Sequence, residues 1–161
     1  MHMIARDEYL QKLIDLRDTD LIKVVTGIRR CGKSTLFKLY QDYLKSNGVS
    51  NEQIISINFE DLAYEELLNY RSLYDHVKSR LISEKMNYVF LDEIQAVDQF
   101  QKAADSLYIQ DNVDLYITGS NASLLSGDLA TLLSGRYVEI AMMPPVSYTH
   151  LRAHETDSYL V

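Results

Sequence analysis

The chain has 161 residues, which is enough for one domain with a hydrophobic core. Its formal net charge of −7 argues against sequence-independent nucleic-acid binding by the whole surface, because such binding depends on an excess of basic side chains. The single cysteine excludes an internal disulfide, and we find neither a secretion signal nor an apolar run of the roughly 18 residues that span a bilayer, so we expect a cytoplasmic protein.

Helices and strands are predicted to alternate along the chain. Helical apolar spacing covers residues 4–16, 33–44, 62–83 in two pieces, 97–109 and, weakly and broken at Gly127, 122–134. The helix over 33–44 is expected to place on one side Leu36, Leu39, Tyr40 and Tyr43. Apolar and β-branched runs predict strands over 21–26, 54–59, 87–91, 115–118 and 137–141. This alternation is typical of an α/β fold with a parallel sheet between two layers of helices, whose ligands bind beyond the carboxyl ends of the strands.

The loop after the first strand reads GIRRCGKS over residues 27–34 and fits the pattern G-x-x-x-x-G-K-[ST]. Its glycines let the backbone curl so that N–H groups point at phosphate oxygens, and the following helix adds the positive end of its dipole. Lys33 is expected to reach the β- and γ-phosphates, Ser34 to bind Mg²⁺ and Thr35 to lie near the α-phosphate. The predicted nucleotide contacts are Gly27, Ile28, Arg29, Arg30, Cys31, Gly32, Lys33, Ser34 and Thr35. Solvated loop charges are the alternative for the two arginines, and a permissive loop position is the alternative for the cysteine.

The apolar strand over 88–91 ends in two carboxylates, Asp92 and Glu93. Asp92 is predicted to hold Mg²⁺, through a water or the Ser34 hydroxyl, and Glu93 to orient and polarise an attacking water. A glutamate directly after the Mg²⁺ aspartate favours hydrolysis over transfer to a bound acceptor. The alternative interpretation is a strand end capped by two solvated acids.

Further polar positions are candidates for the same site. Thr118, Ser120 and Asn121 follow the fourth strand, and we predict that one of them, Asn121 in the first place, senses the γ-phosphate or holds the water; turn chemistry explains the same residues. Asn58, at the end of the second strand, is hypothesised to bond Glu93 and restrain it until a partner docks. Arg136 is predicted to act as an arginine finger, toward a neighbouring subunit or toward its own nucleotide, with a structural salt bridge as the alternative.

Together these stretches resemble the ATPase domain of a prokaryotic AAA family that is usually followed by a C-terminal domain of unknown function. The resemblance rests on residues 21–36, 57–61, 88–95, 115–125 and 133–137. It implies an AAA-type P-loop NTPase fold with sheet order 5-1-4-3-2 and ATP as the nucleotide. It also carries the Walker A roles to Lys33, Ser34 and Thr35, the Walker B roles to Asp92 and Glu93, the sensor role to Asn121 and the arginine role to Arg136.

We expect three segments: an N-terminal helix over 1–17, an AAA-type ATP-binding domain over 18–143 and a tail over 144–161. The family pattern stops at about Met143, before its helical lid and long C-terminal region. The stretch VSYTHLRAHET (146–156) corresponds residue for residue to a translated transposase-based sequencing adapter, so we expect a C-terminally truncated chain with a non-native tail. His150 and His154 are rejected as zinc ligands because no third ligand accompanies them in the sequence.

The sequence therefore predicts Mg²⁺-dependent ATP hydrolysis with Glu93 as the catalytic base. The alternative is a slow-turnover, nucleotide-dependent switch or regulatory scaffold, which acts on a protein or nucleic-acid partner through a missing C-terminal region. A small-molecule kinase is less favoured because the sequence shows no acceptor-binding lid. A homo-oligomer is compatible with either function, and the preference for ATP over GTP cannot be read from the sequence.

Overall fold

The structure is a computed structural model that describes residues 2–28, 30–120, 124, 133 and 136–143. Its α-helices are α1 (His2–Asp15), α2 (Lys33–Ser46), α3 (Tyr70–Lys78) and α4 (Phe100–Tyr108). Its strands are β1 (Ile22–Thr26), β2 (Ile54–Asn58), β3 (Asn87–Asp92), β4 (Val113–Gly119) and β5 (Tyr137–Ala141). Short 3₁₀ helices lie at Asn51–Gln53, Leu62–Leu67 and Ile94–Ala96. The predicted helix over 122–134 and the tail over 144–161 lie outside the described residues, apart from positions 124 and 133.

The five strands form one parallel sheet in the order β2-β3-β4-β1-β5. This is the predicted order 5-1-4-3-2 counted from the other side, and the prediction is confirmed. Because the strands are parallel, their last residues, Thr26, Asn58, Asp92 and Gly119 among them, meet at one side of the sheet, which we call the carboxyl edge. The opposite side, where the strands begin, is the amino edge.

Successive side chains of the central strands pack on opposite faces of the sheet. Val24 and Ile117 belong to an apolar cluster with α3 and α4, whereas Val25 and Tyr116 belong to a second cluster with α1 and α2. In the second cluster the rings of Phe90 and Tyr116 stack with their centroids 4.8 Å apart. The sheet is therefore the middle of three layers, as the alternation of elements predicted. None of the helices within the described ranges is long and apolar enough to cross a membrane.

The buried face of α2 differs from the predicted one. The helix buries Leu36, Phe37, Tyr40 and Leu44. Leu39, which was predicted to share that side, is 37% exposed, and Tyr43 is only partly buried at the margin of the cluster. The face that meets the sheet is therefore rotated toward Phe37 and Leu44 from the predicted side, and this rotation leaves Leu39 at its exposed margin.

The predicted helix over 97–109 begins later, at Phe100. Val97 is extended and buried, Asp98 forms a parallel bridge with Asn69, and Gln99 has a left-handed φ of 55°. Pairing with a distant segment therefore overrides the helical spacing at these three positions. The segment over 62–83 forms two pieces, as predicted, with the second ending at Lys78.

A buried ion pair joins β1 to β4 near the amino edge. Lys23 Nζ lies 2.5 Å from Asp114 Oδ1, and both side chains are inaccessible to solvent. Asp114 Oδ2 also accepts hydrogen bonds from the Asp18 amide at 2.9 Å and from the Tyr116 hydroxyl at 2.7 Å. The Tyr116 hydroxyl lies 2.7 Å from that of Tyr40 on α2, and burial raises the pKa of both phenols, so both stay protonated. This network connects α2 to the sheet through satisfied polar groups.

Candidate functional site

The loop between β1 and α2 depends on two glycines. At Gly27, a Cβ atom would lie 2.5 Å from Cys31 Sγ and 3.0 Å from the carbonyl oxygen of Met142, so there is no room for a side chain. Gly32 is the N-cap of α2 and has a left-handed φ of 104°, a conformation that glycine adopts readily. Cys31 is buried beneath the loop, so it serves packing here. The two fixed glycines of the sequence pattern therefore each have a local structural reason.

The start of α2 offers backbone donors at the carboxyl edge. The Leu36 amide donates to the Gly32 carbonyl oxygen at 2.9 Å. In this geometry the amides of Lys33, Ser34 and Thr35 precede the hydrogen-bond ladder of the helix, and such groups carry the positive end of the helix dipole. An anionic phosphate group is the chemistry that suits this helix start.

Lys33 is buried, and its ammonium group lies in the centre of the loop. Nζ donates to the carbonyl oxygens of Gly27 at 2.9 Å and Ile28 at 3.0 Å. It also lies 3.6 Å from Glu93 Oε2. The side chain is 3% exposed, so its charge is held by the loop backbone and by one carboxylate. The charge is thus placed where a phosphate bound by the loop would meet it.

Asp92, the last residue of β3, receives hydrogen bonds from two hydroxyl groups. The Ser34 hydroxyl donates to Oδ2, and the Thr118 hydroxyl donates to Oδ1 at 2.5 Å. Thr118 Oγ1 also accepts from the Glu93 amide at 2.9 Å. The first turn of α2 and β4 therefore meet at the carboxylate that ends β3, and Thr118 of β4 contacts both members of the acidic pair.

Glu93 follows Asp92 directly and has a left-handed backbone, with φ 60° and ψ 50°. This conformation is uncommon for a residue with a side chain and is characteristic of functional sites. Glu93 Oε1 accepts a hydrogen bond from Gln95 Nε2 at 2.6 Å, and Oε2 faces Lys33. The carboxylate is buried and has a different partner at each oxygen.

The residue that bonds Glu93 is not the one proposed from the sequence. Asn58 was hypothesised to restrain Glu93, but its Oδ1 accepts from the Glu60 amide at 3.0 Å and so closes its own turn. Gln95 makes the contact instead. No residue spacing in the sequence predicts this role, because a contact between residues 93 and 95 depends on the left-handed backbone of Glu93.

The side chains at this edge suit a magnesium ion. Mg²⁺ prefers oxygen ligands and usually takes few of them from the protein when it also binds phosphate groups. The Ser34 hydroxyl and the Asp92 carboxylate are already in contact and supply two such oxygens. Among the described residues there is no group of three or more histidine, cysteine, aspartate or glutamate side chains that could hold a metal ion. An ion shared between the protein and a phosphate chain is compatible with this donor set.

Arg136 lies far from the loop, at the amino edge. It precedes β5, and its carbonyl oxygen accepts from the Ile22 amide at 3.0 Å, so it is level with the start of β1. The five residues of β1 separate it from the loop by about 17 Å. Arg136 is exposed and lines a cavity of about 480 Å³ together with Asp20 and Asp111. This position argues against a contact with the nucleotide of the same chain, and both the neighbouring-subunit role and the structural salt bridge stay predictions.

The other residues predicted to contact the nucleotide make no hydrogen bond or ion pair with Lys33, Asp92 or Glu93 that the described part of the structure shows, apart from the loop carbonyls of Gly27 and Ile28. Ile28 is half-exposed, and Arg30 has a left-handed φ of 65° in the loop. Arg29 and Asn121 lie outside the described residues, so the sensor role of Asn121 stays a prediction. Ser120 directly follows β4 at the carboxyl edge.

Comparison with known proteins identifies the family. The family model described as an AAA domain matches residues 19–151. An uncharacterized protein of Haemophilus influenzae is 45% identical over 157 residues, which are 97% of this chain and 39% of that protein. An uncharacterized protein of Methanocaldococcus jannaschii is 36% identical over 126 residues, which are 76% of this chain and 26% of that protein. The chain thus spans about two fifths and about one quarter of the lengths of these relatives.

A solved structure has the same fold. A chain in the DNA-bound structure of Drosophila ORC is similar with a TM-score of 0.61 and 14% identity, over 93% of this chain and 98% of that chain. At this level of identity the likeness shows the fold alone.

Proposed function

The chain belongs to the AAA domain family of nucleotide-binding P-loop proteins, and on that premise we propose that it binds ATP with Mg²⁺ and hydrolyses the γ-phosphate in the cytoplasm. The observation that carries the proposal is the convergence of the loop after β1, the start of α2 and the end of β3 at the carboxyl edge. Lys33 Nζ lies 3.6 Å from Glu93 Oε2, and the Ser34 hydroxyl donates to Asp92. A lysine in a backbone loop, a hydroxyl and two acids are the groups that phosphoryl transfer to water requires.

The loop and the start of α2 bind the phosphate chain in this proposal. The amides that precede the hydrogen-bond ladder of α2 donate to phosphate oxygens, and Lys33 exchanges its bonds to the Gly27 and Ile28 carbonyls for bonds to the β- and γ-phosphates. Ser34 and Asp92 would hold Mg²⁺, and the ion would neutralise negative charge on the bound phosphate chain. Thr118 keeps Asp92 oriented through its hydroxyl.

Glu93 acts on the attacking water. One carboxylate oxygen accepts a hydrogen bond from the water and takes its proton as the water oxygen bonds to the γ-phosphorus. The bond from the γ-phosphorus to the bridging oxygen breaks, and ADP leaves with the electron pair. A buried carboxylate with a fixed backbone suits this role because it needs little reorganisation before the reaction.

A second function is supported by the same carboxylate. Glu93 Oε2, the oxygen that faces the site, lies 3.6 Å from the buried Lys33 ammonium group, and a chain that keeps this pairing after it binds ATP hydrolyses the nucleotide slowly until the pairing is broken. This arrangement favours the alternative of a nucleotide-dependent switch, which acts on a protein or nucleic-acid partner through further parts of a longer protein. The greater lengths of the relatives are compatible with such parts.

Arg136 supports a proposal about assembly. Arg136 is exposed at the amino edge, about 17 Å along β1 from its own loop, and this separation supports a role toward the nucleotide of an adjacent subunit. We therefore include a homo-oligomer in the proposed function, with the amino edge of one chain facing the carboxyl edge of the next.

One set of measurements tests the proposal. Mg²⁺-dependent phosphate release and the affinity for a fluorescent ATP analogue are measured for the wild-type chain, Glu93→Gln and Lys33→Ala. The matched control is Lys38→Ala, which removes an exposed lysine from the same helix. Loss of the base should lower turnover by about 10²-fold or more with affinity retained. Loss of the loop lysine should weaken binding by about 10- to 100-fold.

The outcomes separate the two functions. Unchanged affinity in Lys33→Ala relative to Lys38→Ala would contradict the whole site. Tight binding without measurable turnover in the wild type would favour the switch over the hydrolase. Equal turnover in Glu93→Gln and the wild type would remove Glu93 from the role of base.

A further inference from the structure

Gln95 contacts the proposed base across a single intervening residue. Its Nε2 donates to Glu93 Oε1 at 2.6 Å, a short distance that is typical of a donor bonded to a charged acceptor. The left-handed backbone of Glu93 turns the chain immediately after the carboxylate, and the following 3₁₀ helix, Ile94–Ala96, brings the Gln95 side chain back beside it. The contact is therefore built into the backbone of this segment.

The orientation of the Gln95 amide follows from this contact. An ionised carboxylate only accepts hydrogen bonds, so the amide group that faces Glu93 is the NH₂ group. The other amide atom, Oε1, consequently points toward Gly119 at the end of β4, where a Cβ atom would lie 2.5 Å from it. Gln95 thus lies between Glu93, which follows β3, and the carboxyl end of β4.

Gln95 Oε1 is buried and has no hydrogen-bond partner within the described part of the chain. Such an acceptor is unfavourable, and a methionine of similar size would pack in the same space without it. The amide of Gln95 therefore contributes through its Nε2 group and not through Oε1. That group is the donor to Glu93.

We propose that Gln95 is a positioning residue for Glu93: it binds Oε1 and so directs Oε2 toward Lys33 and the attacking water. This inference rests on the proposed hydrolysis. Of the two carboxylate oxygens, Oε2 receives the proton of the water, because Oε1 is occupied by the amide donor. Gln95 touches neither the nucleotide nor the water in this role.

The test compares three substitutions at one position. Gln95→Met keeps the size and removes the donor, Gln95→Glu keeps the shape and replaces the donor with a second carboxylate, and Gln95→Asn keeps the amide on a shorter side chain. The matched control is Gln41→Met, which removes a glutamine that bonds Ser56 on the surface. The measurements are kcat and KM for Mg²⁺-ATP, the dissociation constant for a non-hydrolysable ATP analogue, and the thermal unfolding midpoint of each chain.

We expect Gln95→Met and Gln95→Glu to lower kcat by about 10- to 100-fold, the effect of one hydrogen bond to a charged group. The analogue should bind within about threefold of the wild type, since Gln95 does not contact the nucleotide. Gln95→Asn should recover part of the lost kcat. In a Glu93→Gln background, Gln95→Met should have no further effect on kcat, because the group that it positions is gone.

Three results would overturn the inference. The first is a kcat for Gln95→Met equal to that of Gln41→Met. The second is a parallel loss of kcat, analogue affinity and folded population in all three Gln95 variants, which would make Gln95 a packing residue. The third is a full effect of Gln95→Met in the Glu93→Gln background. A wild-type chain that binds the analogue and releases no phosphate would instead contradict the hydrolase itself.

Discussion

The hydroxyl of Ser34 donates a hydrogen bond to Asp92 Oδ2, across 58 positions of the chain. This contact joins the first turn of α2 to the end of β3, and it brings together two oxygen ligands of the kind that Mg²⁺ prefers. The two residues were predicted to share a metal ion from two separate motifs. Their contact supports that prediction because it does not depend on either motif.

The Ser34–Asp92 contact predicts a change in metal dependence. Ser34→Ala removes one oxygen ligand, so the Mg²⁺ concentration needed for half-maximal ATP binding should rise about tenfold, whereas binding without Mg²⁺ should stay the same. Isothermal titration at a series of Mg²⁺ concentrations measures both. Ser34→Thr keeps the hydroxyl and should restore most of the effect. Ser46→Ala, at the other end of α2, is the control, and an equal Mg²⁺ requirement in the two alanine variants would refute the assignment.

The sequence was sufficient to predict the sheet and the two main motifs. Strands such as β1, with the residues IKVVT, are buried throughout and read as apolar runs, and their parallel order brings every strand end to one edge. The glycines of the loop were also predictable from a local pattern, because Gly32 has a left-handed backbone that glycine adopts readily. These features depend on local patterns that a single sequence contains.

The parts that were missed depend on contacts between distant segments. Gln95 meets Glu93 only because the backbone turns at position 93, and no periodicity encodes that turn. The start of α4 was misplaced because Asp98 pairs with Asn69, a residue of another segment. The location of Arg136 at the amino edge required the strand order, which the motif alone does not give.

Gly119 should affect turnover through Gln95. A Cβ atom at Gly119 would lie 2.5 Å from Gln95 Oε1 and 2.3 Å from Leu124 Cδ1, so Gly119→Ala displaces the amide that holds Glu93. We expect a fall in kcat of about tenfold and a non-additive combination with Gln95→Met, since both changes act on one contact. A double-mutant cycle measures the coupling. Gly48→Ala, where a Cβ meets nothing within 4 Å and only the left-handed φ of 94° is strained, is the control for backbone strain away from the contact, and strictly additive effects would count against the contact.

The buried Lys23–Asp114 pair should have a large effect on stability. Asp114→Ala leaves the Lys23 ammonium group buried without its charge partner, which costs about 3–5 kcal/mol of the free energy of unfolding. Asp75→Ala breaks an exposed pair with Arg71 and should cost less than about 0.5 kcal/mol. Urea denaturation of both variants measures the difference. If the two variants were equally stable, the pair would have no structural role.

The buried tyrosines predict how stability depends on high pH. Burial raises the pKa of Tyr88 to about 12, and burial also raises the pKa of Tyr40 and Tyr116. The unfolded chain loses these phenolic protons near pH 10 and the folded chain does not, so rising pH favours unfolding. Stability should therefore be unaffected by these groups below about pH 10 and decline from there to about pH 12.

Absorbance at 295 nm, which follows tyrosinate, tests this pH dependence. The chain has 12 tyrosines, and the three that are buried in the described part of it, Tyr40, Tyr88 and Tyr116, should ionise late and together with the loss of circular dichroism, whereas all 12 should ionise near pH 10 in guanidinium chloride. A single transition of all tyrosines near pH 10, with circular dichroism unchanged, would show that these phenols are not protected.

Arg136 should act on a neighbouring chain. Its position at the amino edge, about 17 Å along β1 from its own loop, prevents it from reaching its own nucleotide. Arg136→Ala should therefore lower turnover by about 10³-fold, the effect of an arginine finger, with ATP affinity retained. A Lys33→Ala chain should also be inactive, because it lacks the loop lysine, but it keeps an intact Arg136 that can act on a neighbouring chain.

A mixing experiment distinguishes a role in the neighbouring site from a role in the same chain. An oligomer that contains both variants pairs the intact loop of an Arg136→Ala chain with the intact arginine of a Lys33→Ala chain, so the mixture should regain part of the wild-type turnover. The regain should increase with total protein concentration, because it requires association. Lys38→Ala chains mixed with Lys33→Ala chains provide the control for dilution of active sites. A mixture no more active than its components, or an Arg136→Ala chain as active as the wild type, would leave Arg136 without a catalytic role, since its distance from the loop excludes the same-chain alternative.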